Sequence, residues 1–257
     1  MTTPTSNRFS RSSYDGDTPS GGSGTPAPRS SAFFARSIVS SRTYYFDSKL
    51  KLFPGLTIPL RSMLVETSKQ QVLISPVATP EEASQIDAPP VLVAPSLLHP
   101  RQIAAAVERY RPLALWGPPG LAETRPELGP VHVLGLDAWP YGDQLGFAII
   151  EGAPRCNDVV FFHRASRTIY TANLFCHICE PEGFLAPLAF RMMGVYRRFS
   201  TAKLWRRWVT DRAAFARSID EILTWNFDRI VVAHGEVVEN DARARFEAAL
   251  REVHLIE

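Results

Sequence analysis

Asp228-Arg229-Ile230-Val231-Val232-Ala233-His234-Gly235-Glu236 is the stretch on which the reading of this chain turns. Its continuous apolar run, Ile230 to Ala233, reads as a strand buried on both faces. The run leads directly into a histidine followed by glycine. An imidazole at the end of such a strand stands at the mouth of a layered fold, where ligand sites concentrate.

The same grammar recurs towards the N-terminus. Val91 to Ala94 and Leu113 to Trp116 are further continuous apolar runs, the second stopped by Gly117-Pro118-Pro119-Gly120. Between them, Pro100 to Tyr110 carries Ile103, Ala106, Val107 and Tyr110 at helical spacing. Leu56–Leu60 and Ser62–Glu66 read as two short strands, and the polar turn Thr67–Gln70 leads to a third at Gln71–Ile74. Thr79-Pro80-Glu81-Glu82 opens a short helix: Thr caps it, Pro suits its first position, and the acids suit the N-terminal dipole.

In the second half, Val131–Leu134, Leu145–Glu151, Asp158–Arg164 and Thr168–Leu174 read as strands, with a hairpin turn at Arg164–Arg167. A helix capped by Thr210 presents Phe215, Ile219, Ile222 and Leu223. A final helix capped by Asn240 presents Phe246, Ala249, Leu250 and Val253. Strands outnumber helices, and helices follow the buried strands. The expected fold class is α/β (α+β), a four-layer αββα sandwich of two mixed β-sheets. A doubly wound sheet is the alternative, and it fits less well because the hairpins imply antiparallel pairs.

The chain has 257 residues, of which 45% are hydrophobic, enough for one substantial core. Residues 1–40 read as a disordered, low-complexity tail and 41–257 as a single domain. Thirteen of the first 31 residues are Ser or Thr, too polar to offset the entropy of ordering. The tail is poor in acids and carries Arg8, Arg11 and Arg29, so a transit peptide competes with a plain flexible segment. Formal net charge is +2, which does not by itself mark a nucleic-acid binder. Three cysteines argue against a disulfide scaffold and for a reducing, cytoplasmic setting. No stretch reaches the roughly 20 apolar residues of a membrane span.

Among six histidines, His99, His177 and His234 fall at or just after expected strand ends. Three imidazoles converging from strand ends would make an open zinc site with room for water; otherwise each is an ordinary loop or capping residue. Cys176-His177-Ile178-Cys179 pairs two thiols around a histidine. A structural zinc would need more thiols than Cys156 supplies, so space-filling thiols are the plainer reading.

Between Phe184 and Arg217 lie Arg191, Arg197, Arg198, Lys203, Arg206, Arg207, Arg212 and Arg217 against the single acid Asp211. That is a net 8 − 1 = +7, leaving 2 − 7 = −5 for the rest of the chain. Phe190, Tyr196, Phe199, Trp205 and Trp208 are interleaved with the cations. Such a segment, 184–217, either meets an anionic lipid surface, a phosphorylated substrate or an RNA, or is a solvated cap whose aromatics pack inward.

From about Pro54 to Leu250 the sequence resembles the metallo-β-lactamase fold superfamily, in a branch of unknown function with degenerate metal-binding motifs. The resemblance is carried by Met63-Leu64-Val65-Glu66 through Ile74-Ser75-Pro76-Val77, by Val91-Leu92-Val93-Ala94-Pro95 through His99, and by Trp116-Gly117-Pro118-Pro119-Gly120-Leu121. Phe161-Phe162-His163 through Thr171-Ala172-Asn173-Leu174-Phe175 and Ala233-His234-Gly235 complete it. The resemblance implies a H-x-H-x-D-H cluster after Val91–Ala94, where this chain has Pro95-Ser96-Leu97-Leu98-His99-Pro100 with one histidine. It implies a further histidine where Gly152-Ala153-Pro154-Arg155 stands, and a bridging Asp where Asn173 stands.

Two functional expectations result. One is a hydrolase with a degenerate, mononuclear metal site, zinc being the expected ion, held by His99 and His234 with help from His177 or Asn173; its small-molecule substrate is open. The other is a non-catalytic binding protein, with no cofactor, that uses Arg191, Arg197, Arg198, Arg206 and Arg207 towards an anionic ligand, membrane surface or partner. Sequence-specific nucleic-acid binding is not expected.

Overall fold

A long hairpin opens the chain in the computed structural model, which describes residues 42–98 and 100–256. The expected tail, 1–40, lies outside the described residues. Strand β1 (Thr43–Phe53) runs antiparallel to β2 (Leu56–Glu66) around Pro54-Gly55. The sequence reading has no strand over 43–53 and two over 56–66. The first was missed because β1 is an edge strand that buries only Phe46, so its periodicity is faint. The second runs unbroken because Arg61 is tied in mid-strand: its guanidinium donates to the Gly235 carbonyl at 2.7 Å and to Asp47 at 2.6 Å.

Strand β3 (Gln71–Ile74) pairs antiparallel to β2. After the short helix α1 (Pro80–Ala83) come β4 (Val91–Val93), α2 (Pro100–Tyr110), β5 (Ala114–Gly117), α3 (Leu121–Thr124) and β6 (His132–Val133). Strands β3 to β6 are parallel, so the first sheet has the order β1-β2-β3-β4-β5-β6. In the second half, β7 (Leu145–Ile149), β8 (Val159–His163) and β9 (Thr168–Thr171) form an antiparallel meander. A small ribbon pairs β10 (Cys176–His177) with β11 (Phe199–Ser200), with α4 (Ala186–Met193) between them in sequence. Then α5 (Lys203–Arg206) and α6 (Arg212–Leu223) lead to β12 (Arg229–Val232) and α7 (Ala242–Glu252). Strand β12 joins β9 in parallel, giving the second sheet the order β12-β9-β8-β7.

The central strands are buried on both faces, and their alternation sorts residues into layers. Met63, Val65, Ile74, Val93, Phe161, Tyr170 and Val231 meet between the sheets. Their neighbours Leu64, Leu73 and Leu92 point outward onto Ile103 and Ala106 of α2. On the other side, Phe162, Ile169, Ile230 and Val232 pack under Phe215, Ile219 and Ile222 of α6 and Phe246 of α7. This is the αββα sandwich.

Helix starts follow side-chain chemistry more closely than position counting. Thr79 caps α1 as expected, accepting from the Glu82 amide at 3.2 Å. Helix α6 is capped by Asp211, whose carboxylate accepts from Ala214 N at 2.9 Å. Thr210 is instead drawn to the Gly152 carbonyl through its own amide at 2.7 Å. Helix α7 starts after Asp241, one residue later than Asn240.

Candidate functional site

Strand β12 delivers His234 to one end of the sandwich, where it meets the edge of β2. Along that edge the Thr57 amide donates to Glu182 O and the Arg61 amide to Ala233 O. Pro59 sits between them with no N–H to satisfy, which suits proline in an edge position. Its carbonyl receives the His234 ring instead, at 3.0 Å from Nδ1. A carbonyl can only accept, so Nδ1 carries the proton. The other ring nitrogen, Nε2, lies 3.3 Å from Asn173 Oδ1. Burial pushes the His234 imidazole below its ordinary pKa, against the opposing pull of the Pro59 contact.

Asn173, just past β9, is in turn held by Asp158. Its backbone amide donates to Asp158 Oδ2 at 3.1 Å and its side-chain amide to Oδ1 at 3.2 Å. The Trp205 indole N–H donates to Oδ2 from the other side at 3.0 Å. Asp158 is wholly buried, and burial raises its carboxyl pKa against these hydrogen bonds. In the sequence Asp158 reads only as the start of a strand. The signal available was an acid at the head of Val159-Val160-Phe161-Phe162, a run that leaves a polar side chain no route to solvent.

The glycine of the His-Gly pair has a tertiary cause. Gly235 has φ +114°, and a Cβ there would run into the His177 carbonyl. The two segments are stitched together by His177 N to His234 O at 2.9 Å and Glu236 N to His177 O at 2.7 Å. The His177 ring has separate partners: Nδ1 meets Glu236 O at 2.9 Å, and Nε2 lies 3.2 Å from an Arg245 guanidinium nitrogen. Each ring nitrogen is thus engaged away from the His234–Asn173 pair. His99 lies outside the described residues.

Cys156 and Cys176 are buried, and Cys179 is partly so. Burial pushes the Cys176 thiol up to about 12 and raises Cys156 and Cys179 as well, which keeps all three protonated and unreactive at neutral pH. The segment Gly152–Arg155 is a turn closed over by the start of α6, with Gly152 accepting from the Thr210 and Asp211 amides.

A two-metal centre requires several imidazole or carboxylate donors around each ion. At these strand ends the described residues bring together one imidazole nitrogen and one neutral amide oxygen, while the Asp158 carboxylate is turned to Trp205 and Asn173. Among the described residues no group of three or more His, Cys, Asp or Glu could hold a metal ion. The donors among the described residues do not make up a two-metal centre.

The basic segment is organised differently. Phe190, Phe199 and Trp205 are buried in the outer core with Tyr196 and Trp208 packed against it, so the aromatics face inward. The cations face out. Arg191 and Arg197 lie against the Tyr196 ring, and Arg198 pairs with Glu252. Lys203, Arg206, Arg207 and Arg212 line a shallow depression of about 280 Å³ with Val253 and Leu255. None of those four has an ion-pair partner among the described residues, and the buried Nε of Arg206 has no hydrogen-bond acceptor there.

No protein-family model matches the sequence, and no curated protein matches it. Solved structures do match in three dimensions. A metallo-β-lactamase from Erythrobacter litoralis superposes with a TM-score of 0.57 at 17% identity, covering 83% of this chain and 93% of that one. A metallo-β-lactamase from Pontibacter korlensis gives 0.53 at 16% identity, covering 81% and 94%. The flavodiiron core of Flv1 from Synechocystis sp. PCC6803 gives 0.57 at 13% identity; the match covers 82% of this chain but 59% of that longer one. The fold is therefore the metallo-β-lactamase fold. Among the described residues no helix is long and apolar enough to cross a membrane.

Proposed function

We propose that this chain is a non-catalytic binding protein on the metallo-β-lactamase fold, and that it takes a phosphate-bearing ligand in the depression of the basic segment. The observation that carries this reading is the set Lys203, Arg206, Arg207 and Arg212 around one concavity, with no carboxylate ion-paired to any of them among the described residues. Guanidinium groups match phosphate oxygens in geometry and charge. Val253 and Leu255 supply an apolar wall that weakens competition from water. Calorimetric titration with pyrophosphate tests it. Binding that weakens about a hundredfold in Lys203→Glu/Arg207→Glu supports the reading, since each of the two lost charged contacts is worth about tenfold. Unchanged binding in that variant sinks it.

A hydrolase with a mononuclear metal site is the second reading, favoured by the meeting of His234 Nε2 and Asn173 Oδ1 at the strand ends. Metal analysis of purified full-length protein, with and without His99→Ala/His234→Ala, decides it. Stoichiometric zinc, iron or manganese that is lost in the double variant would establish this reading over the first.

A further inference from the structure

The basic segment carries a second feature, apolar rather than charged. Helix α4 buries Ala186 and Phe190 and turns Leu188 and Met192 outward. These two are one helical turn apart, and Phe184 stands in the turn just before the helix. They form one stripe, Phe184 79% exposed, Leu188 60% and Met192 69%. The Phe184 ring lies over Gly55 at the tip of the β1–β2 hairpin, where Leu52 and Phe53 are also half-exposed. A single exposed leucine needs no explanation, whereas several large apolar side chains on two adjoining elements mark a contact surface.

The stripe ends where the cations begin. Gly194 terminates α4, and the aliphatic stem of Lys203 passes beside it, at 3.4 Å from where a Cβ would be. Beyond Lys203 lie the exposed Leu204 and the depression of Arg206 and Arg207. At the hairpin end, Glu182 is already paired with Lys49. A row of apolar side chains bordered by cations with no ion-pair partner among the described residues suits an anionic bilayer: the apolar groups enter the acyl boundary and the cations meet headgroup phosphates.

Other occupants fit the charge less well. A symmetric contact between two copies sets the same surface against itself, and here that would press a +7 segment onto another. The sequence 1–41 carries four arginines and two aspartates, 4 − 2 = +2, so it too is cationic. We infer that the Phe184–Leu188–Met192 stripe and the adjoining depression together dock this protein on an anionic membrane surface. The inference rests on the proposed phosphate-binding depression for its charged half and on the stripe alone for its apolar half.

Co-sedimentation of the full chain with vesicles tests it, using phosphatidylcholine alone and phosphatidylcholine with about one fifth phosphatidylserine. Wild type is expected to partition about tenfold more strongly onto the phosphatidylserine vesicles. Leu188→Asp/Met192→Asp is expected to lower that partition about tenfold and to leave pyrophosphate binding intact. Both positions are exposed, so an unchanged melting temperature verifies the fold. A second measurement uses Phe184→Trp, whose emission should shift to the blue on phosphatidylserine vesicles and not on phosphatidylcholine. Wild-type partition by the double variant overturns the inference. So does a dimer that the double variant converts to monomer, or vesicle binding that appears only after residues 1–41 are removed. If Lys203→Glu/Arg207→Glu leaves pyrophosphate binding unchanged while vesicle binding still depends on Leu188 and Met192, the depression reading fails and the apolar docking stands.

Discussion

The strand ends around His234 and the segment 184–217 treat polar groups in opposite ways. At the strand ends they are buried or half-buried and tied to one another: His234 donates to the Pro59 carbonyl, Asn173 donates to Asp158, and the Trp205 indole donates to Asp158. In the basic segment the aromatics from Phe190 to Trp208 pack inward and the cations face outward, and four of those cations lack an ion-pair partner among the described residues. A polar group taken out of water must find partners within the protein. A cation left at the surface keeps its capacity for something else. Trp205 belongs to both regions: its indole closes the strand-end network while its helix carries Lys203 and Arg206. The basic segment thus acts as the roof of the strand-end network and presents its cations on the outside of that roof.

The most severe test of this contrast is Asp158→Ala. It leaves the Trp205 indole, the Asn173 amide and the Asn173 side chain without their shared acceptor. At roughly 1.5 kcal/mol for each of these three bonds, the loss should be about 4.5 kcal/mol in urea unfolding. A loss within about 0.5 kcal/mol, the usual range for surface substitutions, would mean that the network is not structural.

Acid should reveal the buried histidines next. Burial pushes His163 down to about 4 from an ordinary 6.5, and it lowers His177 and His234 as well. Between those values the unfolded chain holds a proton that folded His163 does not. Its contribution to stability is therefore complete above pH 6.5 and is lost as pH falls towards 4. The loss should reach about 3 kcal/mol. Unfolding curves across this range, compared with His163→Asn, measure it; equal slopes would count against a buried neutral ring.

Asn173→Asp restores a carboxylate where the superfamily resemblance implies one. Here it would remove the amide donor 3.2 Å from Asp158 and place a second acid beside it. A destabilisation of about 2 kcal/mol at neutral pH is expected, easing as the pair takes up a proton. A variant that is no less stable and binds metal stoichiometrically would recast the strand ends as a metal site. Lys203→Glu/Arg207→Glu should have the smallest effect on folding, within about 0.5 kcal/mol, because both side chains are exposed. A larger loss would show that these cations are part of the fold after all.

Much of the architecture was legible in the chain. Val91–Val93, Val159–His163 and Arg229–Val232 are strands because each is a continuous apolar run of strand length, and α2 and α6 show helical spacing. The hairpin strand β1 was not legible, because an edge strand with one buried residue has no pattern to read. His234 was legible as a strand-end histidine. Asp158 was not, since an acid beside an apolar run looks the same whether it caps a strand in water or closes a buried network.

By itself the sequence determined the layers, through the period of its apolar residues, and the location of the basic charge. Only the tertiary structure decided which polar groups are committed. Periodicity is a local property, carried by neighbours a few residues apart. Partnership is not: the carbonyl that fixes the His234 ring comes from Pro59, 175 residues away, and the indole that closes on Asp158 comes from 47 residues away. The packing of the two sheets brings these groups together, and it leaves Lys203, Arg206, Arg207 and Arg212 at the surface.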